Sequence, residues 1–111
     1  MAGTAVTKKF EQQMKGGVMQ GWTFNLDPAS IAAAAQGIET LTLPGARAGD
    51  MTFVNGRAPE ANLIIAGSKV TANDTVSIYL DNNITVTTAV DGGDLTYDLL
   101  IFKFAGGDIA A

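Results

Sequence analysis

The chain contains no cysteine and no histidine. Without cysteine there is no disulfide, no thiolate nucleophile and no thiolate metal ligand, and the redox compartment leaves no trace in the sequence. Without histidine the commonest general base at neutral pH is missing. Charge is scarce as well: 16% of the residues are Asp, Glu, Lys or Arg, against about 25% in an average globular domain. A small domain with few charges has much uncharged surface, some of it suited to cover by a partner. No apolar run approaches the roughly 20 residues that cross a bilayer as a helix. Lys8-Lys9 is followed by Phe10-Glu11-Gln12-Gln13, not by the apolar stretch of a signal peptide. These features lead to the expectation of a soluble protein made in the cytoplasm, with no membrane partner.

What remains is enough for one domain. The 111 residues accommodate a single modest core and not two. The net charge is −4, and outside the first fifteen residues Lys and Arg do not cluster, so phosphate neutralisation and a nucleic-acid partner are disfavoured. The charge is unevenly placed. Residues 1–20 carry Lys8, Lys9 and Lys15 against Glu11, whereas the remainder is acidic. A basic arm on an acidic body suggests two different surroundings.

Hydrophobic periodicity divides the chain the same way. Lys8 to Lys15 places Phe10 and Met14 four apart, which predicts about two helical turns stopped by Gly16-Gly17. From Gln20 the period is two. Trp22, Phe24 and Leu26 alternate with Thr23 and Asn25, the mark of a strand. Asp27-Pro28 matches an N-cap followed by the first helical position, so Ala29 to Ala35 predicts at most one or two helical turns, or an extended crossover. Short β runs follow: Ile38–Leu43, Met51–Val54, Asn62–Ala66, Lys69–Thr71, Thr75–Leu80, Ile84–Val90 and Leu95–Phe104. Turn residues separate them, with Asn55-Gly56 reading as a hairpin dipeptide and Gly67-Ser68 as an interruption. Strands at this spacing predict an all-β, antiparallel β-sandwich or barrel of about seven to eight strands. The expected organisation is an N-terminal arm over 1–20, the β domain over 21–105 and a tail over 106–111.

The last strand departs from simple alternation. Leu99-Leu100-Ile101-Phe102 is apolar on both faces. A strand of that kind is covered on both sides, and a two-layer sandwich covers one face per sheet. The second face therefore points to a subunit contact, or to cover by the arm or a loop of the same chain.

Candidate chemistry is sparse. Asp81-Asn82-Asn83 and Asp91-Gly92-Gly93-Asp94 supply oxygen donors of the type calcium takes, but without a calcium-loop spacing. Turn acids of this kind serve the backbone by local hydrogen bonding. Ala66-Gly67-Ser68-Lys69 lacks the order of a phosphate loop. No catalytic, cofactor or metal residues are assigned, and the chain is not expected to be an enzyme.

Four segments stand out: Asp27-Pro28-Ala29-Ser30-Ile31-Ala32, Thr42-Leu43-Pro44-Gly45-Ala46 with Gly49-Asp50, Val70-Thr71-Ala72-Asn73-Asp74-Thr75-Val76-Ser77-Ile78, and Asn82 or Asn83 before the next strand. Through them the chain, from about residue 24 to residue 104, resembles a small β domain of tailed-phage structural proteins. The chain departs from the pattern in the loop Asn55–Glu60, where related chains often carry more prolines, and in its N-terminal arm. Such domains lack catalytic residues. They occur as capsid decoration (cement) proteins and as modules of tail or fibre proteins, usually as trimers.

The resemblance implies a virion structural protein on the outer surface of a capsid, made in the host cytoplasm. It would be a homotrimer bound between major capsid protein subunits. The expected capsid-contact arm comprises Lys8, Lys9, Phe10, Met14, Lys15 and Val18. The expected subunit interface comprises Trp22, Leu100, Phe102 and Phe104. Two other readings compete: a tail or fibre-associated module, and a carbohydrate-binding β-sandwich using Tyr79 or Tyr97.

Overall fold

The computed structural model describes residues 6–27, 30–32, 35–56, 63–82 and 95–104. These form seven strands: β1 (Val6–Met14), β2 (Gly17–Leu26), β3 (Gln36–Thr42), β4 (Met51–Gly56), β5 (Leu63–Ala72), β6 (Thr75–Asn82) and β7 (Leu95–Phe104). They build two antiparallel sheets, one ordered β1-β2-β7-β4 and the other β3-β6-β5. The fold is all-β, as the period-two pattern predicts. The expected strand Ile84–Val90 and the turn Asp91–Asp94 lie outside the described residues.

Only two connections between the described strands are tight hairpins. Met14 pairs with Gly17 across Lys15-Gly16, and Gly16 has φ 96°, a left-handed conformation that glycine adopts at no steric cost. Ala72 pairs with Thr75 across Asn73-Asp74, with Asp74 at φ 62°. Aspartate is one of the few non-glycine residues that tolerates this region. The remaining connections pass from one sheet to the other.

The core lies between the sheets. Trp22, Phe24 and Leu26 of β2 and Tyr97, Leu99 and Ile101 of β7 face Leu41, Leu63, Val70, Val76, Ile78 and Leu80 of the second sheet, all buried. The register places Trp22 opposite Leu99 and Phe24 opposite Tyr97. The last two rings stack with centroids 5.6 Å apart and planes 12° from parallel, an arrangement that adds about 1 kcal/mol to the area term. Burial raises the Tyr97 hydroxyl pKa above its ordinary value, because the phenolate loses more hydration than the phenol.

Three expectations are corrected. First, Lys8–Lys15 is not helical. Residues 6–14 form β1, and residues 6–20 lie within the four-stranded sheet instead of standing apart from it. Second, Asn55-Gly56 does not close a two-residue hairpin, because β4 pairs with β7 while β5 pairs with β6. The sheets meet near β4 and β5, where Thr52 Oγ1 and Ser68 Oγ share a hydrogen bond of 2.6 Å. Third, Gly67-Ser68 does not interrupt the chain: β5 runs through it, and the register shifts between Ile65 and Gly67. A bulge absorbs the extra residue without ending the strand. Of the two forms expected after Asp27, helical turns or an extended crossover, no helix occurs among the described residues. Ala35 N–H donates to Ala32 O at 3.1 Å, Ile31 is buried, and the buried Asn82 amide donates to Ile31 O at 2.9 Å.

The corner between β3 and β4 contains residues from two of the quoted motifs. Leu43 N–H donates to Asp74 O, and Asp74 N–H donates to Ala46 O, both at 2.8 Å. The Asp74 carboxylate accepts from Gly45 N–H at 2.7 Å and from the Arg47 guanidinium at 3.0 Å. The Gly45 amide, and next the Arg47 side chain, hold the Asp74 pKa below the ordinary aspartate value. Asp50 accepts from Arg47 N–H at 2.9 Å and from Lys103 Nζ at 2.5 Å. Lys103 also donates to Gly45 O, which ties the corner to the end of β7.

Candidate functional site

The register of the four-stranded sheet orders its outer face into rungs. Directly opposed residues share a face. One rung runs Phe10, Gly21, Leu100, Phe53 across β1, β2, β7 and β4. The next runs Gln12, Met19, Phe102, Met51. The third, beside the β1–β2 turn, is Met14, Gly17, Phe104. In the other direction the rung is polar: Thr7, Thr23, Asp98, Asn55. Beyond it Thr96 Oγ1 donates to Asn25 Oδ1 at 2.9 Å.

Three successive rungs are therefore built from Phe, Met, Leu and Gly, with Gln12 their one polar member. Phe10, Met14, Met51, Phe53, Leu100 and Phe104 are all exposed. Phe53 and Phe104 are exposed to 53% and 59%. Together the six show roughly 600 Å² of apolar side chain, at about half of the ~200 Å² that each offers. That is at the upper end of what a monomer normally leaves to water.

The face has relief. Gly21 has no side chain, and the Phe10 ring lies over its backbone. Phe53 stands against Phe102 edge-on, with centroids 6.1 Å apart and planes at 90°. Between the Phe10 and Phe53 ridges a groove of about 390 Å³ is lined by Gly21, Leu100, Asn55 and Asp98, with Lys9 among its bordering residues.

The residues expected to act together divide between two faces. Leu100, Phe102 and Phe104 stand in a row on the outer face of β7, joined there by Phe10 and Met14. Trp22 does not join them. It is 8% exposed, it faces the core, and its indole N–H donates to Gln20 Oε1 at 3.1 Å. Lys8 is also on the inner side, opposite Trp22. Its ammonium lies 5.8 Å from the Trp22 ring centroid and 3.2 Å from Glu11 Oε1. The hydrogen bond from Gln20, 2.7 Å, and next the Lys8 contact keep the Glu11 pKa below its ordinary value. Val18 is half-buried opposite Lys103, and Lys15 is exposed at the hairpin turn.

Met19, Met51 and Phe53 complete the face and were not anticipated. Met51-Thr52-Phe53-Val54 carries the same signal as β7, large apolar residues at one parity and Val54 at the other. Of the two tyrosines offered for a carbohydrate site, Tyr97 is 2% exposed and stacked in the core, so it presents no ring to a sugar. Asp81 accepts from Gln36 at 2.9 Å; Asn83 is outside the described residues. Among the described residues no three carboxylates converge as a metal site.

In comparisons with known proteins, no family model, no curated protein and no solved structure matches the chain.

Proposed function

We propose that the chain is a non-catalytic virion structural protein that decorates and stabilises a phage capsid, binding as a homotrimer between major capsid protein subunits. The observation that carries this reading is the three-rung apolar face of the four-stranded sheet. A monomer gains nothing from holding six large apolar side chains in water, whereas an assembly protein buries them.

Burying roughly 600 Å² on one partner is worth on the order of 15 kcal/mol gross. Association and side-chain ordering take back much of that gain. Several copies acting together offset the loss, because each further contact is intramolecular once the first has formed. The mechanism is mechanical: a clamp across subunit boundaries raises the free energy needed to separate them. Placement of the quoted loop motifs supports the same reading, since Gly45, Ala46, Asp50 and Asp74 lie in one hydrogen-bonded corner.

The test uses capsids of the encoding phage prepared without this protein, incubated with the full-length chain. Saturable binding and a rise in the temperature of capsid disruption are expected. Failure to bind capsids, with recovery in tail or fibre assemblies instead, overturns the reading.

A further inference from the structure

The three apolar rungs carry no charge. Their residues are Phe10, Gly21, Leu100 and Phe53; Gln12, Met19, Phe102 and Met51; Met14, Gly17 and Phe104. The rest of the chain is acidic, with a net charge of −4 overall, so identical copies repel one another over most orientations. Where the three apolar rungs meet their own equivalents, no like charges are brought together; the acidic Asp98 lies in the neighbouring polar rung. The outer face of the other sheet also exposes Ile38 and Ile64, but Asp81 pairs with Ile64 and lies one rung from the Ile38–Tyr79 pair on the same face.

The area points the same way. The patch offers roughly 600 Å² of apolar side chain, and a specific interface needs about 800 Å² per partner. A polar rim of Thr7, Thr23, Asp98, Asn55 and Lys9 lies beside the rungs to supply the remainder. The relief suits a copy of itself. Ridges at the two edge strands, Phe10 on β1 lying over Gly21 and Phe53 on β4, flank a groove floored by Leu100.

From these observations we infer that the outer face of the four-stranded sheet is a homotypic seam, covered by the same face of neighbouring copies of this chain, with the Phe53 ridge of one copy seated over Leu100 in the groove of the next. This inference deepens the assembly reading above and rests on it, since it names what occupies the face. An interface in which the ridge of one copy enters the groove of the next is heterologous and closes into a ring when its rotation is a whole fraction of a turn, one third for a trimer.

The experiment is sedimentation velocity of the full-length chain over a range of concentrations. Phe53→Gln/Phe104→Gln is run beside it, with Ile38→Gln as the control of equal exposure on the opposite sheet. Both substituted sites are exposed, and circular dichroism melts establish that each variant is folded. The wild type and Ile38→Gln are expected to form the same closed oligomer at micromolar concentration. Phe53→Gln/Phe104→Gln is expected to weaken it by about 30-fold or more. A wild type that stays monomeric at tens of micromolar overturns the seam, as does an oligomer that the double variant leaves unchanged. Capsid binding is scored separately. A monomer that binds capsids through Phe53 and Phe104 assigns the face to shell protein and refutes the seam alone. An oligomer that never binds capsids refutes decoration and leaves the seam standing.

Discussion

Phe10 of β1 lies directly opposite Gly21 of β2, and its ring covers the glycine backbone closely enough that a Cβ at position 21 would collide with the ring carbons. The glycine thus gives the aromatic ring a place against the sheet, and the ring shields backbone that glycine leaves open. Gly17 has a different neighbour: a Cβ there would meet the Lys103 carbonyl oxygen. A ring can swing into solvent, but a paired strand cannot move without breaking its ladder.

Gly21→Ala is therefore expected to change stability by less than about 1 kcal/mol, whereas Gly17→Ala costs about 2 kcal/mol or more. Urea unfolding of the two variants checks the order. Equal losses, or a larger loss for Gly21→Ala, would contradict the placement of Phe10.

Lys103 and Asp50 form an ion pair with side-chain exposures of only 15% and 5%. Removing one partner leaves the other charge buried without its counterion. Lys103→Met is expected to cost about 3 kcal/mol. The double variant Lys103→Met/Asp50→Leu should lose less than the sum of the two single losses, because the stranded charge is gone. A double-mutant cycle by urea unfolding measures the coupling, and additive losses would argue against the pair.

Asp74 gives the β3–β4 corner a pH dependence. Its pKa is lowered in the fold by Gly45 N–H and Arg47. A depressed carboxylate contributes stability above its unfolded pKa of about 3.9, and the contribution fades as pH falls through the lower folded value. Asn keeps the left-handed backbone that Asp74 adopts but not the charge. The melting temperature of Asp74→Asn should lie below wild type at neutral pH, with the gap narrowing below about pH 4. A gap constant from neutral to strongly acid pH would contradict this account. Asp74→Ala should be worse than Asp74→Asn at every pH, since alanine also resists a φ of 62°.

Trp22 is the single tryptophan, and it points into the core, not toward the outer face. Its fluorescence should report unfolding but not assembly. Dilution that dissociates an oligomer is expected to leave the emission maximum and iodide quenching unchanged, whereas urea unfolding moves both. A red shift on dissociation would restore Trp22 to the interface.

Much of this architecture can be read in the sequence because alternation is local. Thr75–Leu80 declares β6 through Val76, Ile78 and Leu80, and Leu99–Phe102 declares β7 as a strand apolar on both faces. The first strand is illegible for a definite reason. Phe10 and Met14 are four apart, a spacing that satisfies a helix face and a strand face equally, and the register shift between Lys8 and Phe10 breaks the alternation that would have decided the matter. The assignment of Trp22 to the interface failed because alternation groups residues into two faces without saying which one is inside. The Asn55-Gly56 expectation failed because pairing is nonlocal: β4 finds β7 some forty residues later, and no dipeptide encodes that.

The central claim is that the Phe10–Leu100–Phe53 rung and its two apolar neighbours are covered when the protein is assembled. Hydroxyl-radical footprinting of the assembled full-length chain, read residue by residue by mass spectrometry, tests it most directly. Met14, Met51, Phe53 and Phe104 are predicted to be labelled slowly, while Ile38 and Ile64 on the other sheet are labelled as freely exposed side chains. Labelling of Phe53 and Phe104 as fast as Ile38 would contradict the account.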